Sequence, residues 1–194
     1  QIYLAQKDTL ASKNILETGF QKFPQSQGIL IDLINYYLES KEDPQKLFSL
    51  LDEAKKNEPE NASLYYVEGN IHKELGEIDA AVASYLKSYE INPSYEYGLI
   101  GLGMMYYDNA VTISEKAQSE YDDAKYTKLV EEFESYLKKA IEPFEKAFDV
   151  TKADEVKISI AEYLKNIFYR FREQSADYQA SYDKYNNITK NGLN

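Results

Sequence analysis

PENASLYYVEGNIHKELGEIDAAVASYLKSYEINP, residues 59–93, is the stretch on which the fold turns. It begins and ends on proline, and a third proline keeps the interval: Pro24, Pro59 and Pro93 lie 35 and 34 residues apart. Each closes a similar phrase, Gln21-Lys22-Phe23-Pro24, Lys56-Asn57-Glu58-Pro59 and Glu90-Ile91-Asn92-Pro93. Proline has no N–H to give a helix and drives the residue before it out of the α region, so each phrase reads as a helix stop. Inside the stretch, Glu74-Leu75-Gly76-Glu77 supplies a second break. The unit is therefore two helices and a turn, repeated along the chain.

A period of 34 with a terminal proline resembles the tetratricopeptide repeat, whose pattern runs W-x2-L-G-x2-Y, then A-x3-F, then P. In residues 60–93 the matching places hold Tyr65, Glu68, Gly69 and His72, then Ala81 and Tyr85, then Pro93, with Glu68 and His72 departing from the pattern. The preceding unit, about 25–59, offers Leu30, Leu33, Ile34 and Tyr37, then Leu47 and Leu51, with one extra residue in the turn Lys41-Glu42-Asp43-Pro44. Residues 1–24 match only a second half, through Tyr3, Ser12 and Leu16. Entry in mid-repeat, and a first residue Gln1 rather than Met, imply residues upstream.

The fourth unit, about 94–152, opens with Leu99, Leu102, Gly103 and Tyr106 and closes with Ala140 and Phe144. Tyr106 to Ala140 spans 34 residues where His72 to Ala81 spans 9, an insertion of 25. Its composition suits helix, with Leu129, Val130, Phe133, Tyr136, Leu137 and Ala140 at three- and four-residue spacing. The weak point is Ser119–Ala124, where Asp122-Asp123 reads as an N-cap. Both helices are thus expected to be lengthened into a projecting hairpin, about Asp108–Lys138. Lys152 stands where the closing proline would be, and Pro143 falls inside the second helix, where a kink is expected. A degraded or capping unit follows at 153–190, with Ala161, Leu164, Lys165 and Phe168, then Tyr178 and Tyr182. The resemblance implies an all-α fold, a single domain over residues 1–194, built as a right-handed superhelical array of antiparallel helix pairs, an α-solenoid. The long fourth repeat resembles bacterial members of the family, often exported, and that likeness favours an exported or periplasmic location.

Physical reasons support the same shape. Small residues at Gly69, Ala81 and Gly103 let neighbouring helices approach, and large ones at Leu30, Leu51, Tyr65, Tyr85, Leu99 and Phe144 fill the space beside them. A single hairpin cannot bury its apolar face, so stability comes from stacking on the next. Composition then excludes several functions. The chain has 194 residues, 22 Lys+Arg against 33 Asp+Glu and a net charge of -11, an electrostatic balance opposed to nucleic-acid binding. It has no cysteine and one histidine, which removes disulfides, thiolate sites and His-rich metal sites. No run approaches the ~20 apolar residues of a membrane span. No phosphate-binding loop, nucleophile elbow or zinc-protease motif occurs, so no enzyme, catalytic residue, metal or cofactor is expected. Tyrosine is abundant, 19 residues with no tryptophan, which suits half-exposed repeat sites that bury the ring and wet the hydroxyl.

Superhelices of this family use the inner face of the first helices as a peptide groove, and the resemblance implies a lining here. It comprises Ile31, Asn35 and Leu38, then Tyr66, Asn70 and Lys73, then Ile100, Met104 and Tyr107, followed by Glu162, Asn166 and Tyr169 in the last unit. Asparagine can donate and accept at once, which suits the backbone of an extended peptide. A carboxylate clamp is disfavoured, because only Lys73 is basic and Glu39 and Glu74 are close in sequence. His72 reads as a packed, neutral core residue, and the acidic runs Glu115–Asp123 and Glu131–Glu134 read as solvated faces. Two roles remain: an adaptor binding a protein or peptide partner in the groove, or an assembly subunit docking through the long hairpin or self-associating. A monomer or weak homodimer is expected.

Overall fold

The computed structural model describes residues 9–23, 26, 28–29, 32–33, 36–37 and 45–193. Among them there are eight delimited helices and no strand. They are α1 (Thr9–Lys22), α2 (Gln45–Asn57), α3 (Ala62–Glu74), α4 (Ile78–Ile91), α5 (Tyr97–Gln118), α6 (Asp123–Val150), α7 (Asp154–Phe171) and α8 (Ala176–Asn191). Residues 28–29, 32–33 and 36–37 are also helical. The helices gather into two compact units, Gln1–Asn92 and Pro93–Asn194.

In the first unit the α3–α4 pair shows how the repeat builds itself. Asn61 caps α3: its Oδ1 accepts from the Ser63 N–H at 3.1 Å and from the Ser63 hydroxyl at 2.7 Å. At the other end Gly76 N–H donates to Lys73 C=O and Glu77 N–H to His72 C=O. This closing motif needs a residue at positive φ, and Gly76 supplies φ 75°. The two helices then run antiparallel, because contacts pair the start of one with the end of the other. Ser88 hydroxyl donates to Ala62 C=O at 2.8 Å, Tyr85 lies on Gly69, and Glu77 meets His72. A β-carbon on Gly69 would stand 2.6 Å from the Tyr85 ring, so the glycine is the notch that admits the tyrosine. Leu16, Phe20, Leu33, Tyr36, Tyr37, Leu47, Leu51, Leu64, Val67 and Ile71 form the core of this unit.

Glu68, one of the departures from the repeat pattern, is explained by its neighbours. Its Oε1 takes an ion pair from Lys55 of α2 at 2.6 Å, and its Oε2 accepts from the Ser84 hydroxyl of α4 at 3.2 Å. A leucine there would only pack; the carboxylate ties three helices. The Lys55 and Glu68 side chains are 15% and 18% exposed. Burial pushes the Lys55 ammonium down, but the hydrogen bond and charge of Glu68, and then those of Asp52, outweigh it and hold Lys55 above its ordinary 10.5. A raised lysine contributes its stability below about pH 10.5 and loses it only as pH climbs past the raised value, so neutral pH leaves the tie intact. Glu68→Leu is expected to cost about 1–2 kcal/mol by leaving the half-buried Lys55 with Asp52 alone, while Glu68→Leu with Lys55→Met should restore most of that loss. Urea denaturation of the four members of this cycle measures the coupling.

The second unit contains a much longer pair. Helix α5 has 22 residues and α6 has 28, against 13 and 14 in α3 and α4. They run antiparallel: Thr151 hydroxyl donates to Glu96 at 3.0 Å, Phe144 lies on Gly103, and Tyr136 meets Tyr106 at 6.3 Å between ring centroids. The hairpin turns at Ser119–Asp122, where Asp122 caps α6 by accepting from the Lys125 N–H at 2.9 Å. Helix α6 is continuous through the buried Pro143, which has no N–H to donate to the Lys139 carbonyl. Helix α7 packs back along α6 through a Phe144–Tyr163 stack at 4.9 Å and an Arg170–Glu134 ion pair at 2.8 Å.

The last pair departs from the expected register. Tyr178 and Tyr182 stand in the closing places of the repeat, but the ring buried in this pair is Tyr185, 1% exposed. Tyr185 stacks on Phe168 at 5.8 Å with planes 3° apart, and Phe148 meets it edge-on at 5.6 Å. Lys165 occupies the place of Gly69 and Gly103, so there is no notch in α7, and ring-on-ring contacts replace ring-on-glycine ones. Tyr178 packs on Phe168 and Phe171, and Tyr182 on Tyr169.

Candidate functional site

Tyr66, Asn70 and Lys73 recur at four- and three-residue spacing along α3, which places them on one helix face. All three are half-buried, whereas Val67 and Ile71 between them are in the core. The Tyr85 hydroxyl donates to Asn70 Oδ1 at 2.7 Å. The residue whose ring fills the Gly69 notch therefore also fixes the carboxamide of the next residue. Tyr66 leans on the same ring, 6.2 Å between centroids. The hydrogen bond consumes part of the acceptor capacity of Asn70 and leaves its two amide N–H donors with no partner among the described residues. Nothing in the sequence pattern announced this link.

In the second unit Ile100, Met104 and Tyr107 are half-buried on α5. Tyr107 meets Tyr163 of α7 edge-on at 5.1 Å, so the neighbouring helix already covers part of its ring. On α7, Glu162 is ion-paired with Lys165, Asn166 is exposed, and Tyr169 is exposed with the Arg172 guanidinium 3.7 Å above its ring. Ile31, Asn35 and Leu38 lie outside the described residues.

His72 differs from the expectation of a closed core site. It is half-buried at the end of α3, with its ring against Phe48 of α2 at 4.7 Å and Nδ1 2.6 Å from Glu77. Its role is to join α2, α3 and the turn into α4. The acidic runs are largely exposed: Glu115, Asp122, Asp123, Glu131 and Glu132 face solvent, while Glu134 pairs with Arg170. No cluster of three metal-ligating side chains occurs among the described residues, and none of their helices is long and apolar enough to cross a membrane. A cavity of about 330 Å³ in the first unit lies between α1 and α2, with Phe20, Leu50 and Ala54 at its walls and Lys22, Glu53 and Glu58 at its rim. Tyr66, Asn70 and Lys73 do not line it.

Comparison with known proteins agrees with this architecture. Residues 62–95 match the tetratricopeptide repeat family. That interval holds the Asn61-capped α3, the Gly76 turn, the Gly69 notch and Tyr85. Among curated proteins no sequence matches. The crystal structure of MamA protein is similar in fold, with a TM-score of 0.54 and 15% identity over 99% of this chain and 91% of that one. Residues 62–95 are thus a tetratricopeptide repeat, set in a chain of further antiparallel helix pairs.

Proposed function

We propose that this protein is a non-enzymatic adaptor that binds an extended segment of another protein on the exposed faces of its first helices. The tetratricopeptide repeat is a protein–protein interaction module, which gives the general class. The observation that supports the finer reading is the state of Asn70. Its carboxamide is held by Tyr85 at 2.7 Å in a half-buried position, between Tyr66 and Lys73, with two N–H donors to offer. A pre-oriented donor pair loses little side-chain entropy when it meets a peptide carbonyl, so binding retains more of the hydrogen-bond energy. Tyr66 supplies apolar area beside it and Lys73 a cation at the rim. The repeat resemblance also proposes Ile100, Met104 and Tyr107 on α5, and Ile31, Asn35 and Leu38, as lining residues, each set taken by itself.

Selection of displayed random peptides against the purified chain tests this reading. Peptides enriched on the parent protein are expected to bind Tyr66→Ala/Asn70→Ala at least tenfold more weakly, with the circular dichroism spectrum unchanged. Peptides that bind both proteins equally would remove Asn70 from the site. Tyr85→Phe refines the test, because it keeps the ring on Gly69 and releases only the carboxamide. It is expected to weaken the same peptides severalfold, about 0.5–1.5 kcal/mol of lost orientation.

A further inference from the structure

The distal end of the α5–α6 hairpin carries an apolar surface that the groove reading leaves unused. Tyr121, at the tip, is 96% exposed, Tyr126 48% and Val111 40%. The tip is ordered by its own hydrogen bonds: Glu120 Oε1 accepts from the N–H groups of both Tyr121 and Asp122 at 2.9 Å, and Asp122 caps α6. Tyr121 thus stands on a braced turn. Just below it, Ser114, Ala117, Gln118, Tyr126, Val130, Phe133 and Arg170 line an open pocket of about 130 Å³, room for one aliphatic side chain.

Charge identifies the occupant. Between residues 115 and 134 the hairpin holds seven carboxylates, Glu115, Glu120, Asp122, Asp123, Glu131, Glu132 and Glu134, against Lys116, Lys125 and Lys128. Arg170, the cation at the cavity wall, is neutralised by Glu134 at 2.8 Å and adds no net positive charge. Glu115, Asp123, Glu131 and Glu132 are exposed and have no ion-pair partner among the described residues. A second copy of this chain would bring a net -11 onto -11, and a like-charged surface onto this one, which opposes self-docking. Exposed aromatics beside a pocket that Ala117, Val130 and Phe133 line on its apolar side, within a negative field, match a partner of opposite charge with an apolar anchor.

We infer that the distal end of the α5–α6 hairpin is a second interaction surface, which docks a lysine- or arginine-rich segment of another protein through one apolar side chain seated beside Tyr126. It is independent of the proposed α3 site. The Arg170–Glu134 pair shapes the cavity, Tyr121 and Tyr126 supply contact area, and the unpaired carboxylates draw the segment in and set its salt dependence.

The test uses two labelled helical peptides of equal length, one of Leu and Lys and one of Leu and Glu, titrated into the full chain and followed by fluorescence anisotropy. The Leu/Lys peptide is expected to bind, and the Leu/Glu peptide at least a hundredfold more weakly. Tyr121→Ser/Tyr126→Ser should weaken the Leu/Lys peptide at least tenfold, and Glu131→Gln/Glu132→Gln should weaken it severalfold and flatten its salt dependence. All four residues are exposed, so both variants should keep the parent's helical content and melting behaviour. The α3 variant Tyr66→Ala/Asn70→Ala should bind this peptide as the parent does, which separates this surface from the proposed adaptor site. Equal binding of the Leu/Lys peptide to the parent and the tyrosine variant would place it elsewhere on an acidic protein and overturn the inference. So would concentration-dependent dimerisation abolished by the same tyrosine substitutions.

Discussion

Gly103→Ala is expected to destabilise the Pro93–Asn194 unit by about 1–3 kcal/mol, the usual cost of forcing extra volume into a packed core. In an exposed helix interior the same change would stabilise by about 1 kcal/mol, because glycine is the poorer helix former. The sign reverses here because a β-carbon at residue 103 would stand 2.8 Å from the Phe144 ring, and Phe144 is fully buried. A second substitution shows which force decides. Phe144→Leu shortens the side chain in the notch, and in that background Gly103→Ala should become neutral or stabilising. Phe144→Ala alone should cost about 3–5 kcal/mol, since the cavity it leaves is bounded by helices that cannot collapse fully. Urea denaturation of the four combinations, followed by circular dichroism, gives the coupling directly. A Gly103→Ala protein as stable as the parent in the presence of Phe144 would mean that the ring does not sit on the glycine. Gly69 and Tyr85 should behave in the same way, with a β-carbon 2.6 Å from the ring.

These notches were legible in the sequence because they follow from local spacing. A glycine and an aromatic sixteen residues apart, with a Gly-containing turn between them, must meet when the helices fold back, and Gly69 and Tyr85 do. The proline period and the 25-residue excess between Tyr106 and Ala140 likewise translate into helix ends and helix lengths, with the turn at Ser119–Asp122, inside the expected Ser119–Ala124. What the pattern could not carry was pairing between side chains on different helices. Glu68 looked like a defect in the repeat until Lys55 and Ser84 were seen to share it. His72 looked like a core residue, because its spacing does not reveal that Glu77 lies 2.6 Å from its ring nitrogen. Asn70 was chosen for its free hydrogen-bonding groups, yet one of them belongs to Tyr85. In the final pair the repeat places fall on Tyr178 and Tyr182 while the buried ring is Tyr185, for a related reason. Without a glycine in α7 no notch fixes which aromatic of α8 goes inward, and the choice is made by Phe148 and Phe168, which present ring faces and edges to Tyr185.

Tyr185 therefore carries the second large effect. Tyr185→Ala is expected to cost about 3–5 kcal/mol, because its ring is 1% exposed and wedged between Phe148 and Phe168. Tyr185→Phe keeps those contacts and removes only the hydroxyl, whose hydrogen bonds are long: 3.4 Å to Glu145 and 3.3 Å from Lys184. Its cost at neutral pH should stay below about 1 kcal/mol. The two variants separate again in alkali. Burial, and after it the charge and hydrogen bond of Glu145 and the charge of Asp149, push the Tyr185 phenol well above its ordinary 10.0. Below about pH 10 the phenol is neutral in both the folded and the unfolded chain, so its stabilising contribution is complete. Above that the unfolded tyrosine ionises while the folded one keeps its proton, and stability falls by up to about 1.4 kcal/mol per pH unit. Tyr185→Phe has no phenol to ionise, so its stability should fall less steeply than the parent's between pH 10 and 12, and the two curves should converge or cross. Parallel curves would show that the hydroxyl reaches solvent and that the ring alone holds α8 on α7. The difference between the two proteins is the informative quantity, since the tyrosines and lysines that do not touch Tyr185 contribute alike to both curves.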